Sequence, residues 1–244
     1  MREELSVLIK AQYPLIYLVT FEEERAAGSI ASLAQQNKKR LYVWTMTHGI
    51  IEYGQERGAG QQNNTVSPQA AINWAMRQKE PGIFLFKDLH PFKDSPEVTR
   101  SLRDAIESFR GTQKTIILMS PVQEISVELE KEVVVLDFSL PDMSELNQVL
   151  TAELSKSGVS SISTEGREKL LKAALGLTRD EAEKVFRKSR VMAGRLTESE
   201  VDIVLSEKKQ LIRRNGILDY IEEDETLDSV GGLEELKHWL KQRS

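Results

Sequence analysis

The chain has 244 residues, of which 40% are hydrophobic and 29% charged, and these proportions are typical of a globular protein with a buried core. The net charge of −5 gives no reason to expect a nucleic-acid partner, and the lack of cysteine excludes disulfides and thiolate chemistry. No apolar stretch approaches the roughly 20 residues of a membrane-spanning helix, and the charged start Arg2, Glu3 and Glu4 does not resemble a signal peptide. We expect a soluble intracellular protein that has no membrane partner.

The first half of the chain alternates strand and helix patterns. Short apolar runs predict strands at residues 16–20, 41–44, 83–86, 115–119 and 133–138. Helical spacing follows the first strand as far as about Asn37, and a serine followed by proline starts two further helices at Ser67 and Ser95. The alternation predicts an α/β fold with a five-stranded, mostly parallel sheet flanked by helices. The glycine-rich residues 48–65 are expected to form a mobile loop.

The second half of the chain predicts helices and no strand. Three pairs have the spacing of a reciprocal capping box, in which a side chain before a helix and a glutamate in its first turn bond each other's backbone: Asp142 with Glu145, Thr178 with Glu181, and Thr197 with Glu200. We predict three regions: an α/β core over residues 1–139, a helical subdomain over 140–216, and an acidic linker with the start of another module over 217–244.

Three segments carry a family resemblance. Residues 140–142 (Leu-Pro-Asp) follow the fifth predicted strand, and residues 176–181 have the pattern Gly-Leu-Thr-x-x-Glu. Near the end, an Asp-x-x-Gly-Gly-Leu-x-x-x-Lys pattern is completed by Lys237 and begins with Asp228, Gly231, Gly232 and Leu233. These segments resemble the AAA-type ATPase family, in which the first two mark the helical lid and the third opens a complete module. The resemblance implies a degenerate N-terminal AAA core with its lid, followed by a second module.

The resemblance also implies properties of a longer protein. The arrangement is similar to AAA proteins of cyanobacteria and plastids, which implies a cytoplasmic or chloroplast stromal location and a role in regulating photosynthetic carbon use. The longer protein is expected to use ATP and magnesium through its C-terminal module and to form a homo-oligomer. The expected partners of this chain are that C-terminal AAA module and an unknown protein.

The chain itself lacks the residues that hold a nucleotide. A phosphate loop needs glycines, a lysine and a serine or threonine, whereas the first strand is followed by Glu22, Glu23 and Glu24. Where the family has an aspartate for magnesium and a glutamate for water, this chain has Lys87 and Asp88. We therefore expect no catalytic residue, cofactor or metal in this chain. The glutamates also fit favourable charge in a helix's first turn, and Lys87 could pair with Asp88.

The remaining candidates each have a simpler alternative. Tyr53 lies in the zone of the family's substrate-threading loop, although a plain loop is the commoner reading of such a segment. Arg100 and Arg103 lie where AAA subunits contact their neighbours, or on an ordinary solvated face. The three histidines are isolated and predict no metal site.

Three hypotheses about function follow from these residues. The first is a non-catalytic AAA-like module that serves assembly, regulation or partner recruitment. The second is a weak nucleotide hydrolase that acts through Asp88. The third is a nucleic-acid binder that uses the basic helix near Lys208, although such a helix is more often a solvated face.

Overall fold

The computed structural model describes residues 2–55, 64–156, 162–193 and 198–214. The chain divides into two units, and neither is one continuous segment of sequence. The first unit comprises Met1–Glu145 together with Gly176–Glu181, and the second comprises Leu146–Leu175 together with Ala182–Ser244. The short segment Gly176–Glu181 therefore belongs to the first unit.

The first unit is built on a mixed sheet. Its strands are β1 (Leu15–Val19), β2 (Arg40–Thr45), β3 (Gly49–Glu52), β4 (Gly82–Lys87), β5 (Lys114–Ser120) and β6 (Val134–Asp137). Their order across the sheet is β3-β2-β4-β5-β1-β6, and every pairing is parallel except that of β2 with β3. The predicted α/β class and mostly parallel sheet are confirmed, but the described residues form a sheet of six strands rather than five.

The additional strand β3 corrects the prediction of a loop over residues 48–65. Gly49 has a φ of +68°, which lets the chain turn back after β2, and Ile50 then pairs with Trp44. The backbone N–H of Ile50 donates to the Thr65 hydroxyl at 2.9 Å, and the Trp44 indole N–H donates to the Thr65 carbonyl at 2.8 Å. The glycine content of this segment predicted a loop, and the short apolar strand that pairs with β2 was not recognised. Residues 56–63 lie outside the described residues.

Helices cover both faces of the sheet. They are α1 (Arg2–Lys10), α2 (Glu23–Gln36), α3 (Pro68–Arg77) and α4 (Pro96–Phe109), with 3-10 turns at His90–Phe92 and Val127–Leu129. The hydroxyls of Ser67 and Ser95 accept from Ala70 and Val98 backbone N–H groups at 3.2 and 3.3 Å, so both predicted caps are formed. The sequence patterns did not predict α1.

Two hydrophobic cores lie on opposite faces of the sheet. The core on the α3 and α4 side is aromatic: Phe84 stacks on Tyr42 with ring centroids 5.5 Å apart and meets Phe109 at 5.7 Å. The opposite core is aliphatic and brings α1 and α2 against the strands through residues such as Leu5 and Ile30. Each such buried side chain stabilises the fold by about 1.5–3 kcal/mol relative to an exposed one.

The second unit is helical in its described residues. Four helices contribute: α5 (Met143–Lys156), α6 (Thr164–Ala174), α7 (Arg179–Ala193) and α8 (Val201–Arg214), with α8 packed against α6. The first turns of α5 and α7 belong to the first unit. No helix of the described residues is both long and apolar enough to cross a membrane.

Two of the three predicted capping boxes are confirmed, and both lie in the first unit. The carboxylates of Asp142 and Glu145 each accept from the other's backbone N–H, at 2.8 and 3.3 Å. The Thr178 backbone N–H donates to Glu181 at 2.8 Å, and the Glu181 N–H donates to the Thr178 hydroxyl at 3.2 Å. Thr197, which belongs to the third predicted box, lies outside the described residues.

Candidate functional site

The connection from β1 to α2 occupies the position at which a phosphate loop would lie. It consists only of Thr20, Phe21 and Glu22, because α2 begins at Glu23. The Thr20 N–H donates to the Ser120 carbonyl at 2.9 Å, and the Thr20 hydroxyl accepts from the Glu22 N–H at 2.9 Å. A phosphate loop needs eight residues between strand and helix, so this three-residue turn cannot wrap a phosphate group in the same way.

A nearly buried ion pair lies at the end of this turn and the start of α2. The side chains of Glu22 and Arg25 are 6% and 10% exposed, and Glu22 Oε2 accepts from Arg25 Nη2 and Nε at 2.5 and 3.0 Å. Arg25 also donates to Glu145 Oε2 at 2.9 Å and to the Ser139 carbonyl. Its guanidinium carbon lies 4.3 Å from the centroid of the Phe138 ring, in cation–π geometry. Arg25 thus joins the β1–α2 turn to the chain that follows β6.

The second oxygen of the Glu22 carboxylate caps another helix. Glu22 Oε1 accepts from the backbone N–H of Arg179, the first residue of α7, at 2.6 Å. A helix N-terminus carries unpaired N–H groups and partial positive charge, and it therefore attracts anions. At the N-terminus of α7, this anion is a carboxylate of the same chain, that of Glu22.

Glu23, Glu24 and Lys87 form a second charged group. Lys87 Nζ lies 3.0 Å from Glu23 Oε2 and 3.3 Å from Glu24 Oε1, and its side chain is 12% exposed. Burial opposes the charge on Lys87, but the hydrogen bonds and Coulombic attraction of both glutamates outweigh it and raise the pKa of Lys87. The sequence suggested that Lys87 pairs with its neighbour Asp88, and the structure pairs it with the two glutamates. The first-turn placement of Glu23 and Glu24 on α2 is confirmed.

Asp88 follows β4 in an unusual backbone conformation. Its φ is +52°, a left-handed value that is uncommon outside glycine, and its N–H donates to the Met119 carbonyl at 2.9 Å. Its side chain is half exposed and lies 4.0 Å from His90 Nδ1, beyond hydrogen-bond distance. Asp88 is thus not part of the charged group around Lys87.

The other predicted candidates lie away from this position. Tyr53 is exposed in the turn after β3, where its N–H donates to the Leu41 carbonyl at 2.8 Å. Arg100 and Arg103 are both exposed on α4, and Arg100 pairs with Asp104 one turn further along the helix.

Two further predictions concern the C-terminal part of the chain. Lys208 on α8 has a pKa lowered by burial. The motif residues Asp228, Gly231, Gly232 and Leu233 lie outside the described residues.

Sequence reasoning identified Glu22 but missed its partners. Arg25 lies three residues after Glu22 on α2, and that spacing alone could have suggested the pair. The contacts of Arg25 with Glu145 and of Glu22 with Arg179 span 120 and 157 residues, and no local pattern predicts them.

Comparison with known proteins agrees with this architecture. The family model of the N-terminal domain of SpoVK-like AAA ATPases matches residues 1–138, and that of their second domain matches residues 144–215. The uncharacterized AAA domain-containing protein ycf46 of Trieres chinensis is 32% identical over 244 residues, which are 99% of this chain and 48% of that protein. The ycf46 protein of Guillardia theta is 30% identical over 99% of this chain and 47% of its own length. The chain therefore spans about half the length of these relatives.

Solved structures with the same fold include AAA proteins. A chain of the E. coli MS115-1 HORMA:CdnC:Trip13 complex superposes with a TM-score of 0.56 at 14% identity, covering 90% of this chain and 88% of that one. The FIGL-1 AAA domain in complex with ADP gives a TM-score of 0.53 at 9% identity, covering 95% and 78%. At these identities the likeness concerns the fold alone.

Proposed function

Because the chain belongs to the SpoVK-like AAA ATPase family, we propose that it is a non-catalytic AAA-type module that serves assembly, regulation or partner recruitment within a longer protein. The observation that carries the proposal is the Glu22 carboxylate, which is paired with Arg25 and bonded to the first N–H of α7. An anion of the chain itself therefore holds contacts that would otherwise be available to a phosphate.

Electrostatics support the same proposal. A triphosphate placed beside the β1–α2 turn would meet the carboxylates of Glu22, Glu23 and Glu24. The nearby cations are already engaged, since Arg25 binds Glu22 and Glu145 while Lys87 binds Glu23 and Glu24. Nucleotide would have to displace these ion pairs and would leave the buried Glu22 carboxylate without its partner, which costs several kcal/mol.

The proposal extends to the longer protein. It would carry a following AAA module that binds ATP and magnesium, as the motif of residues 228–233 and the half-length coverage of both relatives suggest. We propose that it forms a homo-oligomer, recruits a protein partner and acts in the cyanobacterial cytoplasm or the chloroplast stroma. Its role in regulating photosynthetic carbon use rests on the family resemblance alone.

A second candidate is weak nucleotide hydrolysis through Asp88. The left-handed φ of Asp88 favours it, because strained backbone is often retained at functional sites. Any phosphate release should then fall in Asp88→Ala, with Asp94→Ala as a control for loss of charge in the same connection. Release that is equal in both variants and the parent chain rejects this role for Asp88.

Calorimetric titration with ATP and ADP, with and without magnesium, tests the main proposal. We expect no heat of binding and no change in melting temperature. Micromolar, magnesium-dependent binding would show that a phosphate site exists and would contradict the proposal that this chain binds no nucleotide.

The assembly part needs the longer protein. We expect its sedimentation behaviour or its set of bound proteins to change when residues 1–216 are deleted. Unchanged assembly and unchanged binding partners after that deletion would contradict a role in assembly or recruitment.

A further inference from the structure

A small, mostly apolar cavity lies between the 3-10 turn His90–Phe92, the start of α4 and the connection from β5 to β6. It encloses about 30 Å³, and one water needs roughly 10–15 Å³ of such space, so it has room for two or three heavy atoms. The side chains of Lys93 and Glu124 also line it and are 36% and 42% exposed, so the cavity reaches the protein surface. Its apolar walls include Leu89, Phe92, Val98, Leu102, Ile125 and Leu129.

Most polar side chains around this cavity are already paired. The Tyr17 hydroxyl donates to the Val122 carbonyl at 2.7 Å and accepts from the Glu124 N–H at 3.3 Å. The Glu124 carboxylate lies 2.8 Å from Lys93 Nζ, and the Thr99 hydroxyl donates to the Lys93 carbonyl at 3.4 Å. These groups therefore need no hydrogen bond from an occupant of the cavity.

Two other polar atoms of the lining residues, His90 Nδ1 and Ser126 Oγ, have no hydrogen-bond partner in the described part of the chain. Both atoms are buried with almost no accessible surface, so they do not face the cavity and do not select its occupant. An apolar group can thus enter without depriving a polar group of its partner. The volume suits the three carbons at the end of a leucine side chain, whose removal from water is favourable.

The surface beside the cavity has an excess of negative charge. Four exposed carboxylates are immediate chain neighbours of lining residues, which places them within about 10 Å, one Debye length at 0.1 M salt. Lys93 and Arg100 each pair with a carboxylate, so among the described residues 89–102 and 121–132 only Lys131 is a cation outside a salt bridge. The four carboxylates, none in a salt bridge within the described residues, are those of Asp94, Glu97, Glu128 and Glu130.

We propose that this cavity is the docking site for a basic peptide segment of a partner protein, which inserts one branched aliphatic side chain. Small-molecule sites commonly span about 300–1,000 Å³, so this cavity holds one side-chain group rather than a whole small ligand. The neighbouring carboxylates select lysine or arginine on either side of that group. Val127, which follows Ser126 and is 77% exposed, adds apolar contact surface beside the cavity. The inference rests on the recruitment part of the proposed function and names a surface for it.

The peptide acetyl-Lys-Lys-Leu-Lys-Lys-amide is the probe, titrated into the ¹⁵N-labelled chain while amide chemical shifts are followed. We expect saturable shifts in residues 89–102 and 124–130 at about 0.1–10 mM peptide, because one anchor and a few exposed charges bind weakly. Serine in place of the leucine should weaken binding at least about tenfold, since the anchor is lost. Glutamates in place of the four lysines should abolish binding, because like charges then meet.

Charge variants test whether the carboxylates select the peptide. Glu97→Gln combined with Glu128→Gln should change the melting temperature little, because both side chains are exposed, and should weaken binding about two- to fivefold. Glu3→Gln combined with Glu4→Gln is the matched control, since it removes the same charge from exposed positions of α1, the helix that packs on the opposite face of the sheet. This control should bind the peptide as the parent chain does.

A further variant tests the cavity without a change of charge. Ile125→Phe places a larger side chain in the wall and should weaken the leucine peptide about three- to tenfold, with the melting temperature as a check of folding. Equal binding of the leucine and serine peptides, shifts outside the two lining segments, or equal losses in both charge variants would overturn the proposal. Those results would leave the deletion of residues 1–216 as a separate test, because that deletion detects recruitment through any surface.

Discussion

A buried carboxylate destabilises a fold unless it is paired, and Glu22 is paired on both of its oxygens. We predict that Glu22→Gln lowers the free energy of unfolding by about 1–3 kcal/mol, because the amide cannot form the charged pair with Arg25. Arg25 keeps its contact with Glu145, which limits the loss. Urea unfolding followed by circular dichroism measures the change.

Glu24→Gln is the matched control for this substitution. Glu24 lies two residues further along, and its side chain is 88% exposed, so its contact with Lys87 is expected to contribute little. The urea midpoint of Glu24→Gln should therefore stay close to that of the parent chain. If both variants lose the same stability, the buried pair has no special energetic role.

The second unit also has a buried and paired carboxylate, that of Glu153. Its side chain is fully buried, and it lies 2.7 Å from Lys156 and 3.3 Å from Arg190. Burial alone would raise its pKa, but the hydrogen bonds and charges of Lys156 and Arg190 outweigh burial and lower it from 4.5. The carboxylate therefore joins α5 to α7 within this unit.

Acid should remove that contribution. As pH falls, Glu153 becomes protonated in the unfolded chain near its ordinary pKa, whereas in the folded chain it stays ionised to a lower pH. The stability that the ionised carboxylate contributes is therefore complete above about pH 5, and it is lost as pH falls through the lowered pKa of the folded chain. We predict that Glu153→Gln destabilises the chain at pH 7 and that its difference from the parent shrinks below about pH 4. Urea midpoints across this range measure it, with exposed Glu165→Gln as control. A difference that does not depend on pH would contradict the ion-pair account.

At the scale of elements, local chemistry predicted most of the fold. Serine caps, capping boxes and apolar runs located five strands and most helices, because each depends on residues close together in sequence. Strand β3 was not predicted because Gly49 and Gly54 give its segment the glycine content of a loop. The hydrogen bond from Ile50 to Thr65 spans 15 residues, so no local pattern predicts it. At the candidate site, Glu22, Lys87 and their acidic neighbours were predicted, whereas Arg179 was not, since its contact exists only after folding.

Strand β3 supplies the prediction that belongs to this scale. A Cβ added at Gly49 would lie 2.7 Å from the Thr65 hydroxyl oxygen, and the φ of +68° disfavours any side chain there. We predict that Gly49→Ala costs about 1–3 kcal/mol and loosens the β2–β3 pairing, which hydrogen exchange at Ile51 would report.

Alanine substitutions at two other glycines separate the two causes of the expected loss of stability, backbone strain and contact with Thr65. Gly54 has a φ of +89° but open space around its Cβ position, so Gly54→Ala tests backbone strain alone. Gly28 lies within α2 with nothing near its Cβ position and no positive φ, so Gly28→Ala should stabilise the chain by about 0.5–1 kcal/mol. If Gly49→Ala behaves like Gly54→Ala, contact with Thr65 contributes nothing.

At the scale of the whole molecule, net charge bears on nucleic-acid binding. The net charge is −5 and the sequence pI is about 5.5, which opposes long-range attraction to a polyanion. The basic helix α8 does not reverse this balance. Lys208 is half-buried and its pKa is lowered. Its neighbour Glu207 on α8 pairs with Lys188 of α7 at 2.6 Å.

We therefore predict that the chain does not retard labelled RNA or DNA in gels at about 50 mM salt, where counterion release most favours binding. Retardation under these conditions would contradict the prediction, and Lys208→Gln with Arg213→Gln would show whether α8 causes it. Binding through α8 should then weaken in the double variant and show a smaller salt dependence, because each lost phosphate contact lowers the slope by about one. Retardation that both substitutions leave intact would place the contact on another surface of the molecule.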